Sequence, residues 1–140
     1  MPARHLELGR RGEDAAEELL RSKGYRVLER NVCLGRLELD LVCEAPDKGK
    51  TLVFVEVKTR GAGALGGPAD GLTRQKCERL LRAARQYLSA RNLWERPCRF
   101  DLVAVWEEAG ALRAEHVEDA IRAEDMLAAP KGRTSGWQPW

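Results

Sequence analysis

The chain has 140 residues, 44% of them hydrophobic and 33% charged, which is room for one packed domain and too little for two. Its 24 basic and 22 acidic side chains nearly cancel to a net charge of +2, so any nucleic-acid site must be a local patch. The longest apolar run, Leu102 to Trp106, is far too short to span a membrane, and Met1 to Glu7 lacks the apolar stretch of a secretion signal. Membrane, secreted and fibrous classes are excluded on this reading, and a cytoplasmic location is expected. The cysteines Cys33, Cys43, Cys77 and Cys98 form no CxxC pair, and with only His5 and His116 beside them a zinc site is not supported. They read as reduced thiols, mostly small buried hydrophobes.

Leu6 to Lys23 is expected to be helical, with Leu8, Ala15, Ala16, Leu19 and Leu20 on one face and Gly24 as its stop. Tyr25 to Leu34 reads as a strand, Gly35-Arg36 as a turn, and Leu37 to Glu44 as an alternating strand. That alternation puts Leu37, Leu39, Leu41 and Cys43 on one face and Glu38, Asp40, Val42 and Glu44 on the other. After a turn at 45–50, Thr51 to Thr59 is the most strand-like segment, and these three strands predict an antiparallel meander. Arg60 to Leu72, rich in glycine, reads as a flexible loop. Thr73 caps a helix to Arg91 that buries Cys77, Leu80, Leu81, Ala84, Tyr87 and Leu88. Arg99 to Trp106 and Leu112 to Val117 are further strands, Glu118 opens an acidic helix to Leu127, and 128–140 reads as a tail. The expected class is α/β, a mixed sheet flanked by helices, in a single domain over 1–127.

Charges placed inside strands carry the functional signal. Asp40 sits among Leu39, Leu41 and Val42, and Glu56 and Lys58 interrupt Leu52-Val53-Phe54-Val55-Glu56-Val57-Lys58. Two apart on a strand, Glu56 and Lys58 share a face. Buried charges need compensation, and two readings supply it. One is a structural ion pair, Glu56 or Asp40 with Lys58. The other is a divalent-metal site in which Asp40, Glu56 and the backbone carbonyl of Val57 offer hard oxygens suited to Mg²⁺ or Mn²⁺. Lys58 would then stand beside the metal-bound water.

Asp40 followed by Glu56-Val57-Lys58 resembles the D-(x)n-(E/D)-x-K motif of the restriction-endonuclease-like nucleases. A longer string is more specific: Gly12-Glu13, Gly24-Tyr25, Arg30-Asn31, Glu38-Leu39-Asp40-Leu41-Val42, Val53 to Arg60, Lys76, and Arg99-Phe100-Asp101-Leu102-Val103. In that order it resembles the YraN family of small bacterial proteins, which are similar to archaeal Holliday-junction resolvases. The resemblance implies a core of α-β-β-β-α-β and adds Glu13 to the metal and catalytic set of Asp40, Glu56 and Lys58. By composition alone, Glu13 is one of five acids between Glu7 and Glu18 on a solvated helix. The family commonly places glycine just before the Glu-Ile-Asp string, where this chain has Leu37. Glu38 is expected as either a supporting acid or a solvent-facing one, and for Asp101 a structural bond to backbone or a basic neighbour is favoured over a direct metal role.

Arg74 to Arg91 carries Arg74, Lys76, Arg79, Arg82, Arg85 and Arg91 against the single acid Glu78, while Glu107 to Asp125 is acidic. This basic helix, together with Arg60, is the expected phosphate-binding surface. A solvated basic face is the bland alternative. Tyr87, its only aromatic, falls in the buried stripe, so base stacking is not expected and recognition of duplex or branched DNA through phosphates is.

The function implied is a metal-dependent endonuclease hydrolysing DNA phosphodiesters, with branched DNA and a homodimer suggested by the resolvase resemblance. The alternatives are a non-catalytic nucleic-acid-binding or scaffold protein, and an interaction module using the acidic segment with Trp137 and Trp140.

Overall fold

The computed structural model describes residues 2–61 and 72–122, with side chains from residue 7 onward. The glycine-rich loop after Gly61, the distal part of the acidic segment and the tail with Trp137 and Trp140 lie outside them. The elements are α1 (Pro2–Ser22), β1 (Arg26–Leu34), β2 (Leu37–Glu44), β3 (Leu52–Arg60), α2 (Arg74–Arg91), β4 (Cys98–Glu108) and β5 (Ala111–Val117). The order β1-β2-β3-β4-β5 makes one mixed sheet, antiparallel throughout except for the parallel pair β3–β4. A parallel neighbour needs a crossover, and α2 lies between those two strands in the chain. The meander and the cap at Thr73 are observed, Thr73 accepting the Lys76 amide at 3.1 Å.

Each helix covers one face of the sheet. Leu39, Val42, Phe54 and Phe100 pack with Leu80, Leu81, Ala84, Tyr87 and Leu88 of α2. Leu41, Cys43, Val53, Val55, Val103 and Val105 pack with Ala16 and Leu20 of α1. The second strand therefore departs from the expected alternation: Leu37 and Leu39 face α2, whereas Leu41 and Cys43 face α1. The change falls at Asp40. Its neighbour across the ladder is Asn31, left-handed at φ 54°, between the register pairs Arg30–Leu41 and Val32–Leu39. A left-handed residue turns the chain out of the pleat, so Arg30 reaches α1 while Val32 joins the α2 core.

The expected turn at Gly35-Arg36 is observed, with Gly35 at φ 64°, and Leu37 after it is a buried strand residue. One smaller expectation changes. Glu118 to Arg122 is not helical: Asp119 is left-handed (φ 53°), and the amides of Ala120 and Ile121 bond back to the Phe100 carbonyl. No described helix is long and apolar enough to cross a membrane.

Candidate functional site

The β2–β3 ladder runs from Glu44–Leu52 to Leu41–Val55, and Asp40 and Glu56 stand just beyond its end. Where the strands part, the Val57 amide donates to Asp40 Oδ2 at 2.8 Å, and the Asp40 and Glu56 carboxyls are close enough for each to shift the other's titration. A cleft of about 190 Å³ opens there, lined by Asp40, Glu56, Glu38 and Arg36 and by Lys76 and Arg79 of α2. The sequence-predicted acids Asp40 and Glu56 are thus brought together, with two α2 cations across from them.

Burial pushes both carboxyls up. Asp40 is raised by desolvation and by the charges of Glu13 and Glu38, against the opposing Val57 hydrogen bond. Glu56 is pushed up to about 7, by burial first and by the Asp40 charge second. The pair therefore retains part of a proton near neutrality, a like-charge arrangement that a bound cation would relieve. Lys58 is lowered first by the Lys76 side chain, whose ammonium can donate only to a neutral Lys58 amine, then by burial and by the charges of Lys76 and Arg60. Lys76 and Arg79 opposite the carboxyl pair give the cleft groups suited to an anion as well as to a cation.

The donor set fits a hard divalent ion. Mg²⁺ takes one or two carboxylates and keeps several waters, and Asp40 and Glu56 could offer two such carboxylates with Val57 alongside. Among the described residues no three His, Cys, Asp or Glu side chains converge as a ready-made metal cage. Glu13 does not join the pair directly: Arg30 holds it at 3.5 Å, along with Asp14 at 2.7 Å and Glu17 at 3.3 Å. Its charge nonetheless reaches Asp40. What sets α1 here is Gly12, where an added Cβ would lie 2.1 Å from Thr59 Oγ1 and 3.0 Å from Thr59 Cβ.

The remaining expected residues divide. Glu38 is an exposed acid on the cleft rim, Arg60 ends β3, and Arg74 pairs with Glu78 at 3.3 Å. Arg82 lies further along α2, beside Trp94.

Asp101 belongs to a separate network on the α1 face, which sequence reasoning did not assemble. It is the one fully buried charged residue among those described. Arg99 donates to it at 2.9 and 2.8 Å, His116 Nε2 lies at 2.7 Å, and the Asp119 amide donates at 2.9 Å. Lys23 Nζ lies 2.7 Å from His116 Nδ1. An ammonium can only donate, so Nδ1 accepts and Nε2 carries hydrogen toward Asp101. Burial would raise the Asp101 carboxyl, but its bonds to Arg99, His116 and Asp119 prevail and hold it below its ordinary value. These bonds fit a structural role, and none of them goes to Asp40 or Glu56. The expected structural bond of Asp101 to a basic neighbour and to backbone is observed in Arg99 and the Asp119 amide, while His116 comes from a distant segment.

The description "Uncharacterised protein family UPF0102" matches residues 12–105. A UPF0102 protein of Nitratidesulfovibrio vulgaris is 48% identical over 99% of this chain and 98% of that relative. One from Lawsonia intracellularis is 38% identical over 96% of this chain and 97% of that relative. A solved structure of Pyrococcus furiosus SfsA in complex with Ca²⁺ superposes at a TM-score of 0.35, with 16% identity, over 74% of this chain and 58% of that one. That superposition is too loose to carry an argument. The family match across both the carboxyl pair and its strands, with full-length relatives, makes this chain a member of UPF0102, the YraN family.

Proposed function

We propose that the chain is a metal-dependent endonuclease of the restriction-endonuclease-like type, hydrolysing DNA phosphodiesters in the cleft between β2, β3 and α2. The observation that carries this reading is the convergence of Asp40 and Glu56 in one cleft with Lys76 of α2 across from them and Lys58 two residues along β3 from Glu56. Asp40 and Glu56, with the Val57 carbonyl, would hold Mg²⁺ or Mn²⁺, and Glu13 would add negative charge from α1. When bound, such an ion supplies charge stabilisation to a phosphoryl oxygen and an acidified water.

The chain's own groups divide the remaining work. The Val57 amide keeps Asp40 aimed into the cleft. Lys58, lowered by Lys76, is suited to sit near an attacking water and to balance charge developing on the phosphate. Lys76 and Arg79 face the carboxyl pair and are placed to hold the scissile phosphate, while Arg60, Arg74 and Arg82 extend the basic track. Branched DNA and a homodimer enter this proposal from the resolvase resemblance only, since fold does not fix substrate.

The test is cleavage of plasmid, linear duplex, flap and four-way-junction DNA with Mg²⁺ or Mn²⁺, with Asp40→Asn and Lys58→Ala beside the parent. Cleavage by the parent that both substitutions abolish is expected. One rival is a non-catalytic nucleic-acid-binding protein of the same fold, which would need no third His, Cys, Asp or Glu at the pair, and none converges there among the described residues. It predicts no cleavage and metal-independent binding that survives Asp40→Asn.

A further inference from the structure

Trp94 is the exposed large hydrophobic side chain among the described residues, at 37% exposure. Apolar burial would favour hiding an indole, and its neighbours are fixed firmly enough to have done so. Leu93 packs on the α2 core and its amide bonds the Leu88 carbonyl at 2.9 Å, just after the left-handed cap at Asn92. The Arg96 amide bonds the Leu93 carbonyl at 3.1 Å. Trp94 is therefore held outward by ordered backbone on both sides.

It does not stand alone. Arg82, Arg85, Gln86 and Ser89 follow helical i, i+3, i+4, i+7 spacing on α2 and meet Trp94 around a concavity of about 420 Å³. That volume lies within the ~300–1,000 Å³ range of small-ligand sites. Arg82 and Arg85 make no ion pair among the described residues, whereas Arg74 and Arg91 of the same helix pair with Glu78 and Glu29. No acid lines the concavity among the described residues. An indole face, two guanidinium groups and neutral hydrogen-bonding side chains are the complement of a nucleobase joined to phosphates.

We infer that Trp94, with Arg82 and Arg85, forms a stacking subsite for an unpaired nucleotide of the DNA strand that enters the cleft. The inference rests on the nuclease reading and deepens it. From Arg79 at the cleft to Gln86 at the concavity is about 10 Å along the helix, the reach of a few nucleotides. The substrate favoured is then a duplex with a single-stranded extension. This revises the expectation from sequence that bases would not be stacked. Tyr87 is indeed buried in the core, but the platform comes from the connection after the helix.

The experiment is binding of a labelled duplex, either blunt or with a short thymidine extension, by fluorescence anisotropy in chelator. The parent is compared with Trp94→Ala and Trp94→Phe. Trp94→Ala should weaken binding to the extended duplex on the order of ten- to a hundredfold, with Trp94→Phe recovering most of it and the blunt duplex little affected. One abasic position in the extension should reproduce the loss. Equal effects on both duplexes, no effect on either, or Phe behaving as Ala would overturn the inference. So would Trp94 dependence seen only for a protein ligand. Cleavage assays on the same DNAs separate the two claims. Asp40-dependent cleavage with no role for Trp94 sinks the subsite alone, while Trp94-dependent binding without cleavage sinks the nuclease alone.

Discussion

The Asp40 carboxylate accepts the Val57 amide hydrogen bond at 2.8 Å at the point where β2 leaves β3. That bond ties the acid of one strand to the backbone carrying Glu56 and Lys58 on the other. It holds two half-buried carboxyls together although burial and mutual repulsion favour separating them. Such a local cost in stability is what the proposed metal site would require, and functional sites commonly carry one.

Asp40→Asn keeps an acceptor for the Val57 amide and removes one of the two like charges. In chelator at pH 8 the variant should be more stable than the parent by about 1–2 kcal/mol, measured by urea unfolding. The sign follows from Glu56, whose folded value of about 7 lies above its ordinary 4.5. A raised acid contributes no penalty below the ordinary value and its full penalty above the folded one. The advantage of the variant should therefore grow as pH rises from 4.5 to about 7. An advantage independent of pH would show that the charge pair is not its source.

Gly12→Ala should destabilise the chain by about 1–3 kcal/mol through overpacking. The new methyl would meet Thr59 Cβ as well as its flexible hydroxyl. Thermal unfolding measures the loss, and adding Thr59→Ala should recover part of it. An unchanged midpoint for Gly12→Ala would mean that α1 does not rest on β3 this closely.

The strand positions of Asp40, Glu56 and Lys58 were legible because charge inside apolar strands is conspicuous. The helix cap at Thr73 and the strand bounds of Leu37 to Glu44 were legible from local chemistry. What was hidden depends on geometry between segments. Nothing in the alternation of Leu37, Leu39, Leu41 and Cys43 announces a change of face, because the turn is made by Asn31 on the neighbouring strand. Lys76 reads as one basic residue among six, and only folding brings it to Lys58. Asp101 finds Arg99 locally, but His116, Lys23 and Tyr25 arrive from other elements.

Asn31→Val should cost about 1–2 kcal/mol, because a branched side chain resists the left-handed region, whereas Asn31→Gly should be nearly neutral. Unfolding midpoints of the two variants check this directly. Equal losses for Val and Gly would mean that the side chain of Asn31, and not its conformation, matters.

Asp101→Asn should cost about 3–5 kcal/mol, since it strips the charge from a buried network built around Arg99 and His116. The folded Asp101 carboxyl lies below its ordinary 3.8. Its stabilisation is therefore complete above that value and is lost as pH falls through the lowered one. Acid unfolding below pH 3.8 should be less steep in the variant. An acid limb as steep as the parent's would place the protonation elsewhere.

The most direct measurement is calorimetric titration of Mn²⁺ into the metal-free parent, Asp40→Asn and Glu56→Gln across pH 5.5 to 8. The parent should bind one ion per chain at pH 8, weakening by up to about tenfold per unit below pH 7 as the Glu56 proton competes. Both variants should lose that binding. A parent that takes up no Mn²⁺, or variants that bind it as tightly, would contradict a metal centre at Asp40 and Glu56.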